Sequence, residues 1–370
     1  MPACTPGRSA IRPARARSRG GRRPDPGVRL PGTGSGERCV FASSAGLRAG
    51  AATGPGDGFP GGTLAAVADL VRCLASRATA GHPRARLPAF LATPWRADPV
   101  PAAPPSRLPT YFISHGGGPW PWMPEALRTV YAALAASLAD VPRQIGRTPR
   151  AILMVSAHWE APRFTLQGAE RPGMVYDYYG FPPHTYEVRY ASPGAPALAE
   201  RTAALIRAAG LPAGIDAERG YDHGMFTPMA VMFPDADVPV VQLSLLDGLD
   251  PATHVALGRA IAPLRDDDVL IVGSGLSYHN LRAFGPAGYG ASAAFDAWLA
   301  ETLLGHDDGA RIERLLQWDR APAARHAHPR EEHLIPVMVA AGAAERDAAV
   351  RVYHEDRFAG GLTVSSYRFG

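Results

Sequence analysis

Pro109-Thr-Tyr-Phe-Ile-Ser-His-Gly-Gly-Gly-Pro119 is a short apolar run that stops on a histidine and three glycines. A run of this length, rich in aromatic and β-branched residues and followed by glycine and proline, is typical of a buried strand that enters a tight loop. We therefore place His115 at the end of a strand. Because open α/β sheets bind their ligands at the carboxyl ends of the strands, His115 is a candidate functional residue.

Two further segments have the same organisation. Residues 151–157, Ala-Ile-Leu-Met-Val-Ser-Ala, form another continuous apolar strand that leads directly into His158. A third apolar strand is predicted at residues 269–273, and a turn rich in glycine and serine connects it to His279. The sequence therefore predicts that separate strands deliver imidazoles to one edge of a sheet.

Predicted strands and helices alternate along the rest of the chain, and this alternation predicts a single α/β domain with a central, mostly parallel or mixed sheet flanked by helices. Residues 176–190 lack core periodicity and are rich in aromatic side chains, so we interpret them as a loop over the site. Further strands are predicted at residues 163–167, 239–245, 351–354 and 362–369. Helices are predicted at residues 123–139, 193–209, 251–264, 291–304 and 331–341.

Residues 1–105 differ in composition from the rest of the chain, with fifteen arginines against five acidic residues and a high density of proline and glycine. We interpret this segment as a leader that is largely disordered or not translated, with one amphipathic stretch at residues 64–74. Residues 106–370 form the predicted folded domain. Because the net charge of +4 arises from the leader, we expect no nucleic-acid partner.

Cysteine and lysine usage exclude several kinds of site. The three cysteines, Cys4, Cys39 and Cys73, all lie in the leader, and the chain contains no lysine. The folded domain therefore has no thiol nucleophile, iron–sulfur cluster, zinc–thiolate site or structural disulfide, and the chain has no Schiff-base lysine or Walker-type phosphate loop. No apolar run is long enough to cross a bilayer. We expect a cytoplasmic protein that does not associate with a membrane.

Five histidines in distinctive local sequence are the candidates for chemistry: His115, His158, His223, His279 and His333. Several histidines without sulfur suit zinc or iron and leave an open position for substrate. From spacing alone, His333 resembles an ordinary residue in the first turns of a helix beginning near residue 329. The spacing leaves His223 open between ligand, acid–base group and loop-stabilising residue. Acidic residues near these histidines are expected to accept hydrogen bonds from the second ring nitrogens: Glu160, Asp222, Glu331 and Glu332.

Five motifs occur in the order Ile-Ser-His-Gly-Gly-Gly-Pro at 113–119, Val-Ser-Ala-His-Trp at 155–159, Asp-His-Gly at 222–224, Tyr-His-Asn-Leu-Arg at 278–282 and Glu-His-Leu-Ile-Pro at 332–336. Together they resemble the class III extradiol ring-cleaving dioxygenases, and in particular the DOPA-dioxygenase-like branch. The similarity extends from about residue 109 to the end of the sequence and does not include the leader.

The resemblance implies a non-haem, metal-dependent dioxygenase that opens the ring of a catechol, DOPA-like or other, with O2 as cosubstrate. It implies one divalent metal, Fe(II) for activity or Zn(II) as the bound species. The implied metal ligands are His115, His158, His279 and His333. The implied acid–base residues are His223 and His279, so His279 has two candidate roles. Because some family members use a glutamate as ligand, Glu332 competes with His333 for the last position.

The substrate would be a small aromatic diol, on which aromatic side chains could stack and whose carboxylate an arginine could hold. The expected substrate contacts are Trp159, Tyr178, His184 and Arg282. We expect a monomer or a small homo-oligomer. Two alternatives remain open at the level of sequence: a zinc-dependent hydrolase that uses the same ligands, and a non-enzymatic Memo-type binding protein on the same scaffold.

Overall fold

Eight strands form one sheet in the structure, a computed structural model that describes residues 107–306 and 308–370. The strands are β1 (Thr110–Ser114), β2 (Ala151–Ala161), β3 (Phe164–Gln167), β4 (Ala213–Asp216), β5 (Val240–Leu246), β6 (Val269–Gly275), β7 (Ala349–Phe358) and β8 (Leu362–Phe369). The predicted leader, with its amphipathic stretch at residues 64–74, lies outside the described residues.

The strand order is β4-β3-β5-β2-β6-β1-β8-β7. The four central strands β5, β2, β6 and β1 are parallel, whereas β8 is antiparallel to β1 and β7, and β3 is antiparallel to β5. The sheet is therefore mixed with a parallel centre. The predicted α/β class is confirmed, and the carboxyl ends of the central strands meet at one edge, where an α/β sheet binds ligands.

Nine α-helices flank this sheet in the part of the chain that the structure describes. They are α1 (Glu125–Arg128), α2 (Ala132–Ile145), α3 (Pro196–Ala208), α4 (His223–Met232), α5 (Pro251–Ile261), α6 (Tyr289–Leu304), α7 (Asp308–Leu316), α8 (Ala324–Ala327) and α9 (Ile335–Ala343). Among these described helices, none combines the length and apolarity that a bilayer span requires.

Helix α9 is buried along its whole length and packs closely against α5. Two glycines explain the close approach: a Cβ atom on Gly258 would lie 2.3 Å from the carbonyl oxygen of Val339, and one on Gly342 would lie 2.5 Å from that of Val255. Side chains at these positions would force the two backbones apart. The close packing of the two helices therefore fixes the position of α9 and of the turn that precedes it.

Two local predictions were wrong in ways that concern the site, and one helix at the site was not predicted. Strand β2 continues past its predicted end and carries His158 within it, with a register shift against β5 between Val155 and Glu160. Helix α9 begins at Ile335, so His333 lies in the preceding turn rather than in the helix. Helix α4 was not predicted, because it is buried on nearly all sides and shows no helical periodicity of apolar residues.

Candidate metal centre

Five imidazoles meet at the carboxyl ends of the central strands. His115 directly follows β1, His158 lies in β2, His279 follows β6, His223 is the first residue of α4, and His333 lies in the turn before α9. The Nε2 atom of His158 lies 3.2 Å from Nε2 of His115 and 3.1 Å from Nε2 of His333. The ring centroid of His223 is 3.9 Å from that of His158, and the ring of His279 stacks on His333 at 3.4 Å. The sequence-predicted histidines therefore form one cluster.

Two glycines of β6 explain how the turn carrying His333 reaches this edge. A Cβ atom on Gly275 would lie 2.1 Å from the carbonyl oxygen of His333, and one on Gly273 would lie 2.3 Å from that of Pro336. The bare strand lets the turn cross directly over it, where Leu276 donates its N–H to the His333 carbonyl at 3.0 Å. The Gly-Ser-Gly sequence at the end of β6 thus positions a histidine from a distant segment.

The tautomer of His115 follows from a proline in α4. Pro228 has no N–H to donate to the carbonyl of Gly224, four residues earlier, and the Ser274 hydroxyl donates to that carbonyl instead. The Ser274 oxygen is then an acceptor for Nδ1–H of His115, 3.0 Å away. Because Nδ1 carries the proton, the lone pair of neutral His115 lies on Nε2, which faces the cluster.

Asp177 was not among the predicted site residues, and its carboxylate contacts two of the imidazoles. Its Oδ1 accepts from Nδ1 of His223 at 2.8 Å and from the backbone N–H of the same residue at 3.0 Å. Its Oδ2 lies 3.1 Å from Nδ1 of His158. The available signal was a single carboxylate between Tyr176 and Tyr178, within the aromatic loop that we had placed over the site.

Glu332 has the corresponding role on the other side of the cluster. Its Oε1 accepts from Nδ1 of His279 at 2.9 Å and of His333 at 3.0 Å. This carboxylate therefore orients two rings and leaves the Nε2 atom of each unprotonated in the neutral form.

The expectation of imidazole contacts was wrong for the other three acidic residues. Asp222 is fully buried and accepts from Ser156 and Gln242. Glu160 pairs with Arg330, and Glu331 pairs with Arg325. Proximity in the sequence to a histidine did not identify the carboxylates that accept from the imidazoles, because these three carboxylates contact other side chains.

Burial and the two carboxylates determine the protonation of the cluster. Burial and the neighbouring imidazoles hold the pKa of His115 well below its usual value, and the pKa of His333 is low for the same reasons despite Glu332. Burial raises the carboxyl pKa values of Asp177 and Glu332, but the adjacent histidines lower them by more, so both carboxylates are ionised. For His158, burial is outweighed by Asp177, which raises the pKa. The two ionised carboxylates therefore favour a bound cation at the point that the Nε2 atoms face.

The donor set fits a divalent metal ion. With metal–nitrogen bonds of about 2.0–2.1 Å and bond angles of about 90–109°, two ligating nitrogens are about 2.8–3.4 Å apart. The Nε2 separations of 3.1 and 3.2 Å fall in this range. His115, His158 and His333 could therefore hold one ion, and neutral imidazoles without sulfur suit Fe(II) or Zn(II).

The expected substrate residues lie at different distances from the cluster. Tyr178 is buried and its ring centroid is 5.7 Å from that of His223. Trp159 is also buried, but it packs beneath the guanidinium of Arg219 at 4.8 Å. His184 is exposed and lies 3.0 Å from the carbonyl of Trp122, and the side chain of Arg282 is exposed. Of the four, Tyr178 adjoins the imidazoles.

Residues 110–370 match the family described as the catalytic LigB subunit of aromatic ring-opening dioxygenase. The chain belongs to this family. Its relatives include dioxygenase tasH of Hapsidospora irregularis, 37% identical over 282 residues that cover 71% of this chain and 85% of that protein. The 4,5-DOPA dioxygenase extradiol of Beta vulgaris is 38% identical over 264 residues, which cover 70% of this chain and 96% of that protein.

This chain is also similar to bacterial proteins in sequence and in fold. The 4,5-DOPA dioxygenase extradiol of Escherichia coli K12 is 31% identical over 271 residues, covering 72% of this chain and 96% of that protein. The crystal structure of the uncharacterized protein JW3007 from Escherichia coli K12 superposes with a TM-score of 0.58 at 28% identity, and covers 71% of this chain and all of that one.

These matches confirm the predicted family and enzyme class. The chain is a metal-dependent, extradiol ring-cleaving dioxygenase that acts on a catechol. They give no support to a zinc-dependent hydrolase or to a non-enzymatic binding protein.

Proposed function

We propose that this LigB-family dioxygenase opens the ring of DOPA or a DOPA-like catechol, with one divalent metal held by His115, His158 and His333. The observation that carries the proposal is that Nε2 of His158 lies 3.2 Å from Nε2 of His115 and 3.1 Å from Nε2 of His333, while the ring centroids of His115 and His333 are 5.2 Å apart. The substrate class is supported by the similarity to proteins named 4,5-DOPA dioxygenase extradiol. Both atoms of O2 enter the product, and the ring C–C bond beside the two hydroxyl-bearing carbons breaks.

His279 acts in this proposal as a proton-transfer group rather than as a ligand. The rings of His279 and His333 are nearly parallel, with an interplanar angle of 17° and centroids 3.4 Å apart. The lone pair of Nε2 lies in the plane of its ring, so an ion in the plane of one ring lies well outside the plane of the other. Of this pair, His333 contacts Nε2 of His158, and the side chain of His279 is the more exposed, at 19% against 5%.

His223 is the second proton-transfer group. Burial lowers its pKa despite the opposing effect of Asp177, so the ring is neutral near pH 7 and its Nε2 can accept a proton from a substrate hydroxyl. The hydrogen bond from Nδ1 to Asp177 stabilises the imidazolium that results. His223 adjoins His158, with ring centroids 3.9 Å apart, whereas His279 stacks on His333, so one can remove a proton while the other returns one.

A bound ferrous ion would supply Lewis acidity toward the catechol oxygens and one-electron transfer to O2. A zinc ion would supply the Lewis acidity but not the electron transfer. We therefore assign Fe(II) to the active protein and regard Zn(II) as a redox-inactive occupant of the same ligands. The substrate ring lies against Tyr178, whose phenol is fixed by a 2.6 Å hydrogen bond to the carbonyl of Thr185. His184 and Arg282 are assigned to the polar tail of the substrate.

We further infer a cytoplasmic location, because residues 107–370 contain no cysteine that an oxidising compartment would pair. A monomer or small homo-oligomer is sufficient for the proposed chemistry, since every residue assigned to it comes from one chain.

The test is anaerobic reconstitution with Fe(II), addition of L-DOPA, catechol or protocatechuate, and then admission of air. We expect a yellow ring-opened product and the uptake of one O2 per catechol consumed, with His333→Ala as the inactive control. A protein that binds Fe(II) but consumes no O2 with any catechol would disprove the proposal. Ester hydrolysis that requires zinc would instead support the hydrolase.

A further inference from the structure

Two charged side chains connect the chain segments that carry two of the proposed metal ligands. Glu160 lies two residues after His158 in β2, and Arg330 lies three residues before His333. The Nη1 atom of Arg330 is 2.6 Å from Oε1 of Glu160, and its Nη2 contacts Oε2. We call this bidentate ion pair the Glu160–Arg330 clip. The contact with Arg330 shows that the Glu160 side chain faces the segment that leads to His333.

The same guanidinium faces Glu332. Its Nη1 lies 3.6 Å from Oε2 of Glu332, an atom that is buried and has no hydrogen-bond partner within the described residues. The other oxygen of Glu332 orients the rings of His279 and His333. A buried, ionised oxygen without a partner is costly, and the positive charge of Arg330 offsets that cost.

We propose that Arg330 is a positioning residue of this dioxygenase, and that the Glu160–Arg330 clip fixes Glu332 and thereby the rings of His279 and His333. The inference rests on the roles assigned to those two histidines under the proposed function. The clip ties the strand that carries one ligand to the turn that carries another, so it also sets the distance between His158 and His333.

Because Arg330 is exposed, its role in positioning the metal ligands can be distinguished from a contribution to folding stability. The Arg330 side chain is 50% exposed, and exposed ion pairs contribute little to folding stability. Groups that orient metal ligands from outside the coordination sphere typically change metal affinity or activity by about 10–100-fold when they are removed. Loss of the clip should therefore change the metal centre without changing the stability of the fold.

The experiment compares Arg330→Gln, Glu160→Gln and Arg330→Lys with Arg325→Gln as the matched control. Arg325 is equally exposed and belongs to the same part of the chain, where it pairs with Glu331 at 2.6 Å and covers the ring of Trp318 at 4.4 Å. Arg325, like Arg330, contacts two other side chains, but neither of them is Glu332, so a general effect of losing a surface arginine should appear in the control as well.

Chelator competition measures the metal affinity of each variant. Steady-state assays with a catechol give kcat and KM, and urea unfolding gives the stability. We expect Arg330→Gln and Glu160→Gln to weaken Fe(II) and Zn(II) binding and to lower kcat, each by about 10-fold or more, with KM within about threefold and the urea midpoint unchanged. Arg330→Lys should recover part of the affinity, since it keeps the charge but not the bidentate geometry. Arg325→Gln should resemble the wild type in all of these measurements.

Equal metal affinity and kcat in Arg330→Gln and Arg325→Gln would overturn the proposal. So would a rise in KM alone, which would make Arg330 a substrate contact, or a shared loss of stability. The metal measurement does not depend on catechol turnover. If the wild type binds metal tightly but cleaves no catechol, the proposed function fails, whereas the comparison of metal affinities still tests the clip.

Discussion

Asp177 binds His223 through a single carboxylate oxygen, which accepts both the ring Nδ1–H at 2.8 Å and the backbone N–H at 3.0 Å. The interaction fixes the imidazole at the first residue of α4, while the second oxygen faces Nδ1 of His158 at 3.1 Å. One residue of the aromatic loop therefore connects a proposed metal ligand to a proposed proton-transfer group.

We predict that Asp177→Asn weakens metal binding by about 10–100-fold. An asparagine has one acceptor oxygen, so when that oxygen binds His223 its NH2 group faces Nδ1 of His158. His158 must then carry its proton on Nε2, which blocks the proposed ligand atom. Chelator competition measures the loss, and Glu187→Gln, at an exposed position of the same loop, is the control. Unchanged affinity in Asp177→Asn would show that the second oxygen does not orient His158.

A second prediction separates the two stacked histidines. We expect His333→Ala to lose the metal, because it removes one of three converging Nε2 atoms. His279→Ala should keep a stoichiometric metal and lose about 100-fold or more in kcat, the usual contribution of a proton-transfer group. Metal content after gel filtration and single-turnover rates give both quantities. Equal metal loss in the two variants would place His279 among the ligands.

The ends of β1 and β6 could be located from sequence because both apolar runs are short: β1 is followed directly by His115 and three glycines, and β6 ends on Gly275, four residues before His279. The identity of the five histidines followed from their motifs. By contrast, the position of His158 within β2 depends on a register shift against β5, which the mixture of apolar and polar residues in the second half of the strand does not reveal.

The carboxylate partners were harder to predict, because the fold brings them together across long chain separations. Asp177 lies 46 positions before His223, in a loop without periodicity, whereas Asp222 is the immediate neighbour of that histidine yet faces Ser156. Helix α4 was missed because its apolar side chains point in every direction, so no stripe indicated a helix.

A third prediction concerns Gly224, whose missing side chain leaves room for the site. A Cβ atom there would lie 2.6 Å from Oγ of Ser156 and 2.9 Å from Cδ2 of His158. Ser156 is held by Asp222, so it cannot move away freely. We expect Gly224→Ala to cost about 1–3 kcal/mol of unfolding free energy through overpacking and to weaken metal binding by displacing the ring.

Gly290 provides the matched control for that substitution. It also lies in a helix, and a Cβ atom there would have no neighbour within 4 Å. Gly290→Ala should leave metal binding unchanged and raise the unfolding free energy by about 0.5–1 kcal/mol, because alanine is the better helix former. Wild-type metal affinity in Gly224→Ala would contradict the steric argument.

The final prediction concerns His254 in α5, which is fully buried away from the metal centre. Its Nδ1 donates to the carbonyl of Asp250 at 2.8 Å, and its Nε2 accepts from the N–H of Leu246 at 3.1 Å. Burial lowers the pKa of His254 to about 4, although Asp250 opposes the shift. The neutral ring satisfies both contacts, whereas a proton on Nε2 would break the second one.

Because the pKa in the folded state lies below its unfolded value of about 6.5, the unfolded chain binds more protons between these two pH values. The stabilisation is therefore complete above about pH 6.5 and decreases as the pH falls toward 4, by about 3 kcal/mol in total. Urea unfolding at several pH values, with chelator present throughout, compares the wild type with His254→Gln. The glutamine cannot titrate, so the variant should lose less stability over this interval. If the two proteins lose stability in parallel, the neutral state of His254 is not a source of the acid sensitivity of the fold.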